Sequence, residues 1–197
     1  IITTMELSVT QENLNTALQN TSRVASSKTG LPILGNILLR TEKNRLLIAS
    51  TNLEISSKHH IGAKIIKPGS VTIPAKILTD FVHNLPKEPI NLIVKNNRLH
   101  ITSKGYSSII NGTSDEEFPE LPAVDVKKSV SYTITSDDFK SAISQTIIAS
   151  SSDTTRQILT GVYWHTFENA IYLASTDGYR LAERKLLESK SEVHAII

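Results

Sequence analysis

The chain has 197 residues, 21 Lys and Arg against 19 Asp and Glu, and 39% hydrophobic residues, enough for one or two domains with real cores. Its net charge of +2 leaves any nucleic-acid contact to local placement of cations rather than to a basic whole. The absence of cysteine excludes disulfide scaffolds, thiolate metal sites and cysteine nucleophiles, and no apolar run approaches the roughly 20 residues of a membrane helix.

The first four residues, "IITT", lack the pattern of a signal peptide and read as a tag or upstream remnant. "LSVTQENLNTALQNTSRVASS" then reads as a strand followed by a helix. Leu14, Ala17, Leu18, Thr21, Val24 and Ala25 share one helical stripe, Thr10 stands where a cap belongs, and Glu12 suits the positive end of the dipole. "GNILLR" and "NRLLIAS" are strands joined near Lys43 and Asn44, and "LEISSKHHI" continues the sheet. "KPGSVTIPAKILTDFVHNLP" is a turn, a strand and a helix with the stripe Leu78, Phe81, Val82 and Leu85, for which Pro74 suits the start. "INLIVKNNRLHITS" is a hairpin, since Asn96 and Asn97 accept positive φ between two alternating runs, and "GYSSIING" adds a strand.

"TSDEEFPELPAVDVKKS" is acidic, carries prolines and shows neither period, as expected of a connector. Asp115, Glu116 and Glu117 within it read as a solvated charge run rather than paired catalytic acids. The boundaries expected are a first domain at 5–122, a connector at 123–130 and a second domain at 131–197.

After the connector the pattern restarts with a shift of 125. "SVTQENLNTAL" lies over "TITSDDFKSAI", and "ILGNILLRTEKNRLLIASTNLEI" over "ILTGVYWHTFENAIYLASTDGYR". Identical pairs include Thr10/Thr135, Ala17/Ala142, Ile33/Ile158, Leu34/Leu159, Asn44/Asn169 and Ala49-Ser50-Thr51 over Ala174-Ser175-Thr176. The helical stripe repeats at Phe139, Ala142, Ile143, Thr146, Ala149 and Ser150. Identities and buried periodicity agree, which points to two copies of one unit. The second copy has far fewer residues after its triplet than the first, so the expectation is an incomplete second domain.

Catalytic and cofactor motifs are scarce. There is no GxxxxGK[ST] and no GxGxxG after a strand. Six histidines form no HxxxH pair, so neither metal nor cofactor is expected. "SSSDTT" holds no GxSxG elbow and reads as a polar loop closing the second helix. "TDGYRLA" leaves three readings open. Asp177 and Arg180 are a base and an anion clamp; or Asp177-Gly178 is simply a turn; or Tyr179 and Arg180 edge an apolar groove with Leu159 and Leu181 that takes a short peptide. The outer side of the first helix, Asn13, Asn15, Thr16, Gln19, Asn20 and Arg23, is polar but almost uncharged. That suits a solvated face, or a surface meeting DNA loosely.

"LPILGNILLR", "TNLEIS", "FPELP" and "TDGYRLA", collinear and set within the repeat, closely resemble the bacterial sliding clamp, the β subunit of DNA polymerase III. The resemblance implies an α+β DNA-clamp fold of repeated domains, each with two helices packed on antiparallel sheets. It implies three domains per chain and two chains in a homodimeric ring around duplex DNA, so a third domain would be absent here. It implies a cytoplasmic, non-catalytic subunit with no membrane contact, whose partners are duplex DNA and, through short peptides, the DNA polymerase III alpha subunit and the clamp-loader subunits. The implied peptide pocket is Leu159, Thr176, Gly178, Tyr179, Arg180 and Leu181. Leu159 and Leu181 would form its floor, Thr176 and Gly178 allow close backbone approach, and Arg180 orient the peptide or pack its stem along the floor. Family members commonly carry a histidine or similar ring where Tyr179 stands. The implied DNA contacts are Arg23, Lys28, Lys76 and Arg156, with the acidic Asp153 weakening the last loop.

Overall fold

The computed structural model describes residues 4–25, 31–121 and 129–197. They fall into two compact units, 1–122 and 123–197. Most of the connector expected at 123–130 lies outside the described residues, as does Lys28.

The first unit contains β1 (Thr4–Thr10), α1 (Gln11–Ser22), β2 (Asn36–Glu42), β3 (Arg45–Thr51), β4 (Ser56–Gly62), β5 (Lys64–Lys67), β6 (Ser70–Pro74), α2 (Ala75–His83), β7 (Pro89–Lys95), β8 (Arg98–Ser103) and β9 (Tyr106–Asn111). Two antiparallel sheets form, ordered β5-β1-β7-β8-β9 and β4-β3-β2-β6. Hairpin chemistry explains the tight links. Lys43 carries φ 51 between β2 and β3, and Asn96 and Asn97 carry φ 52 and 60 between β7 and β8.

One core joins both sheets to α1 and α2. Leu14, Leu18, Ile37, Leu39, Leu46, Ile48, Leu78, Val82, Leu92 and Leu99 are all fully buried in it. The two helices pack side by side, and the buried Gln11 amide donates to the Val82 carbonyl at 2.9 Å. The helical stripes foreseen at Leu14–Thr21 and Leu78–Leu85 are the buried ones, with Phe81, Val24 and Ala25 half-buried. Thr10 has the extended backbone of a cap, but its side chain makes no capping hydrogen bond. β5 escaped the sequence reading because Lys64–Lys67 is a four-residue edge strand with a mostly exposed pattern, too short to show alternation.

The acidic stretch after β9 differs from expectation. It is not wholly connector. Thr113 bridges to Thr72, Asp115 Oδ2 accepts from Arg40 Nη2 at 2.9 Å, and Phe118 is buried with Leu38, Leu47 and Ala49. Burial alone raises the Asp115 pKa, but hydrogen bonds from Arg40 and Ser70 outweigh it and hold the carboxyl below its ordinary value. Asp115 is thus a paired anchor, not part of a solvated run.

The second unit contains α3 (Ser136–Thr146), β10 (Tyr163–Phe167), β11 (Ala170–Thr176), β12 (Leu181–Glu188) and β13 (His194–Ile196), with 3-10 turns at Ile147–Ala149 and Thr154–Leu159. Its sheet runs β12-β11-β10-β13, the order of β4-β3-β2-β6. Among the described residues it has one α-helix rather than the two expected per domain. Thr135 caps α3 by accepting from the Asp138 amide. Ala142, Val162, Trp164 and Leu173 form the core beneath, and Phe139 tilts against Trp164 at a centroid distance of 5.8 Å.

The 125-residue shift holds in three dimensions. Leu38 pairs with Ala49 and Tyr163 with Ala174; Thr51 pairs with Ser56 and Thr176 with Leu181. The buried Ser50 hydroxyl donates to the Thr21 carbonyl, and the Ser175 hydroxyl to the Thr146 carbonyl. Each bond ties the C-terminal end of a helix to the middle residue of its Ala-Ser-Thr strand end.

Candidate functional site: a groove beside the second-unit turn

β11 ends at Thr176 and β12 begins at Leu181, so the turn between them must be built in four residues. Asp177 builds it. Its Oδ1 accepts from the amides of Tyr179 at 2.9 Å and Arg180 at 3.0 Å, while Oδ2 takes Arg180 Nε at 2.9 Å. Thr176 Oγ1 donates to the Arg180 carbonyl at 2.7 Å and accepts from the Gly178 amide at 3.0 Å. The first unit repeats the four contacts to the backbone, made there by the Thr51 and Asn52 side chains with Leu53, Glu54 and Ile55. The backbone bonds, led by that of Tyr179, hold the Asp177 carboxyl below its ordinary pKa. A carboxylate so depressed and so fully engaged is a poor general base, and the catalytic reading of Asp177 and Arg180 loses its chemistry.

Gly178 sits at φ +93, with nothing near the position a Cβ would take. The positive φ by itself calls for glycine. Gly178→Ala is expected to destabilise the second unit by about 1 kcal/mol, with Gly178→Asn milder. Thermal unfolding measures both, and an Ala variant as stable as the parent counts against a strained turn.

Beside the turn lies a groove of about 150 Å³. Leu159, Thr176 and Leu181, all singled out in the sequence, line it together. So do Ile158, Gly161, Tyr163, Ala174 and Ser175, which the sequence reading missed. Gly178, Tyr179 and Arg180 do not line it; they stand on the turn at its end. Tyr179 is 100% exposed and Arg180 is held by Asp177. Leu181 is 71% and Ile158 66% exposed, an unusual cost for apolar side chains unless something covers them. Strand alternation was the available signal for Tyr163, since Trp164 and Val162 point into the core on either side of it.

The implied DNA residues fall at helix ends. Arg23 follows α1 and is exposed, where a cation also suits the dipole. Lys76 is exposed in the first turn of α2, where the dipole disfavours a cation. Lys76 shares a shallow depression with Ser22 and Ala25, which brings it near Arg23. Arg156 is exposed in the second unit, at the kink of the 3-10 segment Thr154–Leu159. None of the three has an ion pair among the described residues. Asp153 accepts from the Thr155 amide at 2.9 Å, and that bond first, with the Thr155 side chain second, lowers its pKa. Its charge is engaged locally as a cap. The described residues hold no group of three or more His, Asp or Glu poised for a metal, and no helix long and apolar enough to cross a membrane.

A helix-on-antiparallel-sheet unit occurring twice in one chain, with an open apolar groove on the second copy, defines a repeat-built binding protein of the DNA-clamp fold. Comparison with known proteins is specific. Residues 5–122 match the family model "DNA polymerase III beta subunit, N-terminal domain", and residues 133–197 match that family's central domain. The chain belongs to the DNA polymerase III beta subunit family. It is 33% identical over 181 residues to a beta sliding clamp of Synechococcus elongatus, covering 90% of this chain and 48% of that protein. It is 30% identical to a beta sliding clamp of Staphylococcus epidermidis, covering 98% and 53%. The crystal structure of a DNA polymerase sliding clamp from Bacillus subtilis superposes with a TM-score of 0.91 at 27% identity, covering 98% of this chain and 53% of that one. The chain spans about half the length of the curated relatives it matches.

Proposed function

We propose that this chain acts as part of a processivity clamp: its repeats, 5–122 and 131–197, serve as successive domains of a ring that encircles duplex DNA and tethers a replicative polymerase without catalysing a reaction. The collinear match of both units to the N-terminal and central domains of one family carries this reading. In it the full-length protein is a cytoplasmic homodimer. Arg23, Lys28, Lys76 and Arg156 face phosphates, and their small number suits a tether that must move, because each phosphate contact slows sliding and makes binding salt-sensitive. The groove of the second unit docks short apolar peptides of the polymerase alpha subunit and of clamp-loader subunits. Leu159 and Leu181 supply its floor, Thr176 its wall, and the turn Gly178–Arg180 its rim.

The ring is tested with the full-length protein loaded on circular duplex DNA. Retention on circles and release on linearisation is the expected result; equal retention on linear DNA overturns encirclement. For the groove, Leu159→Ala or Leu181→Ala is expected to weaken a leucine- and phenylalanine-bearing peptide roughly tenfold, the cost of one lost apolar contact, with Tyr179→Ala weaker in effect. Fluorescence polarisation reads the change, and unaltered affinity in both leucine variants removes the groove from the account.

A further inference from the structure

The groove of the second unit lies on the outer face of its sheet. The 125-residue shift locates its counterpart in the first unit: Ile158, Tyr163 and Ala174 correspond to Ile33, Leu38 and Ala49. In the first unit that place is taken. Leu38 and Ala49 are buried in a cluster with Phe118, against which Ile33 and Leu121 pack. The occupant is the chain's own acidic segment after β9.

That segment is attached like a ligand rather than like a strand. Its described contacts are anchors around a turn rather than a ladder: Thr113 at the bridge to Thr72, Asp115 on Arg40, the Phe118 amide donating to the Asp115 carbonyl at 3.1 Å, then Phe118 and Leu121 in the apolar cluster. Beside it lies an open depression of about 580 Å³, lined by Arg40, Glu42, Lys58 and His60 as well as by Phe118. Both neighbouring anchor types, a charge pair and an aromatic in an apolar seat, are those of docked linear peptides.

We infer that the outer face of the first unit is a second peptide-docking groove, and that Asp115–Leu121 is its resident ligand, bound in cis. The groove recognises a short segment turned between an acidic residue and a phenylalanine three positions on, with a leucine three further. Arg40 reads the acid, and the Leu38/Leu47/Ala49 surface seats the ring. Tethering holds the resident segment at an effective concentration on the order of millimolar, so a free peptide at micromolar concentration does not displace it from the intact chain.

The inference does not use the docking reading of the second unit, and its test runs with that groove blocked by Leu181→Glu, a substitution at an exposed position. The probe is a fluorescent peptide of residues 114–121, SDEEFPEL. Adding Phe118→Ala to the blocked protein removes the resident ring and is expected to tighten peptide binding at least tenfold. Adding Arg40→Glu as well is expected to abolish the gain, and a peptide with Lys in place of Asp115 to restore it. Where Phe118→Ala impairs folding, Asp115→Lys in the protein loosens the segment while keeping the ring, and the unaltered peptide is expected to gain affinity in that background. Equal binding with and without the loosening substitution, or equal binding of a peptide lacking the phenylalanine, overturns the inference. So does failure of the charge-swapped pair to recover, since a merely structural segment offers no reason for such rescue.

Discussion

Leu18→Ala is expected to destabilise the first unit by roughly 3–4 kcal/mol. Leu18 is 0% exposed on α1 and belongs to the cluster joining both sheets to the two helices. Truncation removes three methyl or methylene carbons from that cluster and leaves a cavity. The surroundings cannot collapse into it, because α1 is fixed from several sides: by α2 through Gln11 and the Val82 carbonyl, and by β3 through Ser50 and the Thr21 carbonyl. The better helix propensity of alanine recovers only a few tenths of a kcal/mol. Chemical denaturation of the parent and the variant gives the difference. A loss below about 1 kcal/mol shows that the site relaxes and that α1 is not clamped as described.

The second large effect is expected at Gly112. This residue follows β9, donates to the Asn97 carbonyl at 2.7 Å and precedes Thr113, which bridges to Thr72 in the other sheet. An alanine Cβ there falls 2.5 Å from the Thr72 carbonyl oxygen, 2.6 Å from Ile73 Cδ1 and 2.9 Å from the Asn97 carbonyl oxygen. The isoleucine tip can rotate away, but the two backbone oxygens, one in the middle of β6 and one in the β7–β8 turn, accept from the Thr113 and Gly112 amides and cannot yield without breaking those bonds. Gly112→Ala is therefore expected to cost about 3 kcal/mol and lower the first unit's midpoint by roughly 10 °C. It should also loosen the segment after it. Hydrogen exchange at the Thr72 and Thr113 amides separates the two consequences: faster exchange there accompanies the loss if the crossing is the point of strain. A variant with the parent's stability and exchange refutes the close approach.

Both predictions concern the first unit, whereas the sequence drew attention first to "TDGYRLA" in the second. The reason is that a turn announces itself. Asp177-Gly178 is a local signal, and the structure shows its four bonds to the backbone repeated by Thr51 and Asn52, with a positive φ of 76° at Leu53 where no glycine was present to suggest it. The shift of 125 residues therefore carried more information than composition did. It transferred a turn from a sequence that displays it to one that hides it.

The sequence by itself determined the elements whose causes are local or periodic. Alternation placed β2, β3, β7 and β8, a 3.6-residue stripe placed α1 and α2, and paired asparagines placed the hairpin. Self-similarity established that the two halves share one plan. Tertiary structure decided what depends on partners distant along the chain. It seated Phe118 and Asp115 of an aperiodic stretch on β2 and β3, and gathered Ile158, Tyr163, Ala174 and Leu181 around one groove. Those outcomes rest on contacts between segments separated by tens of residues. Periodicity records which face of an element is buried; it does not record which remote side chain buries it.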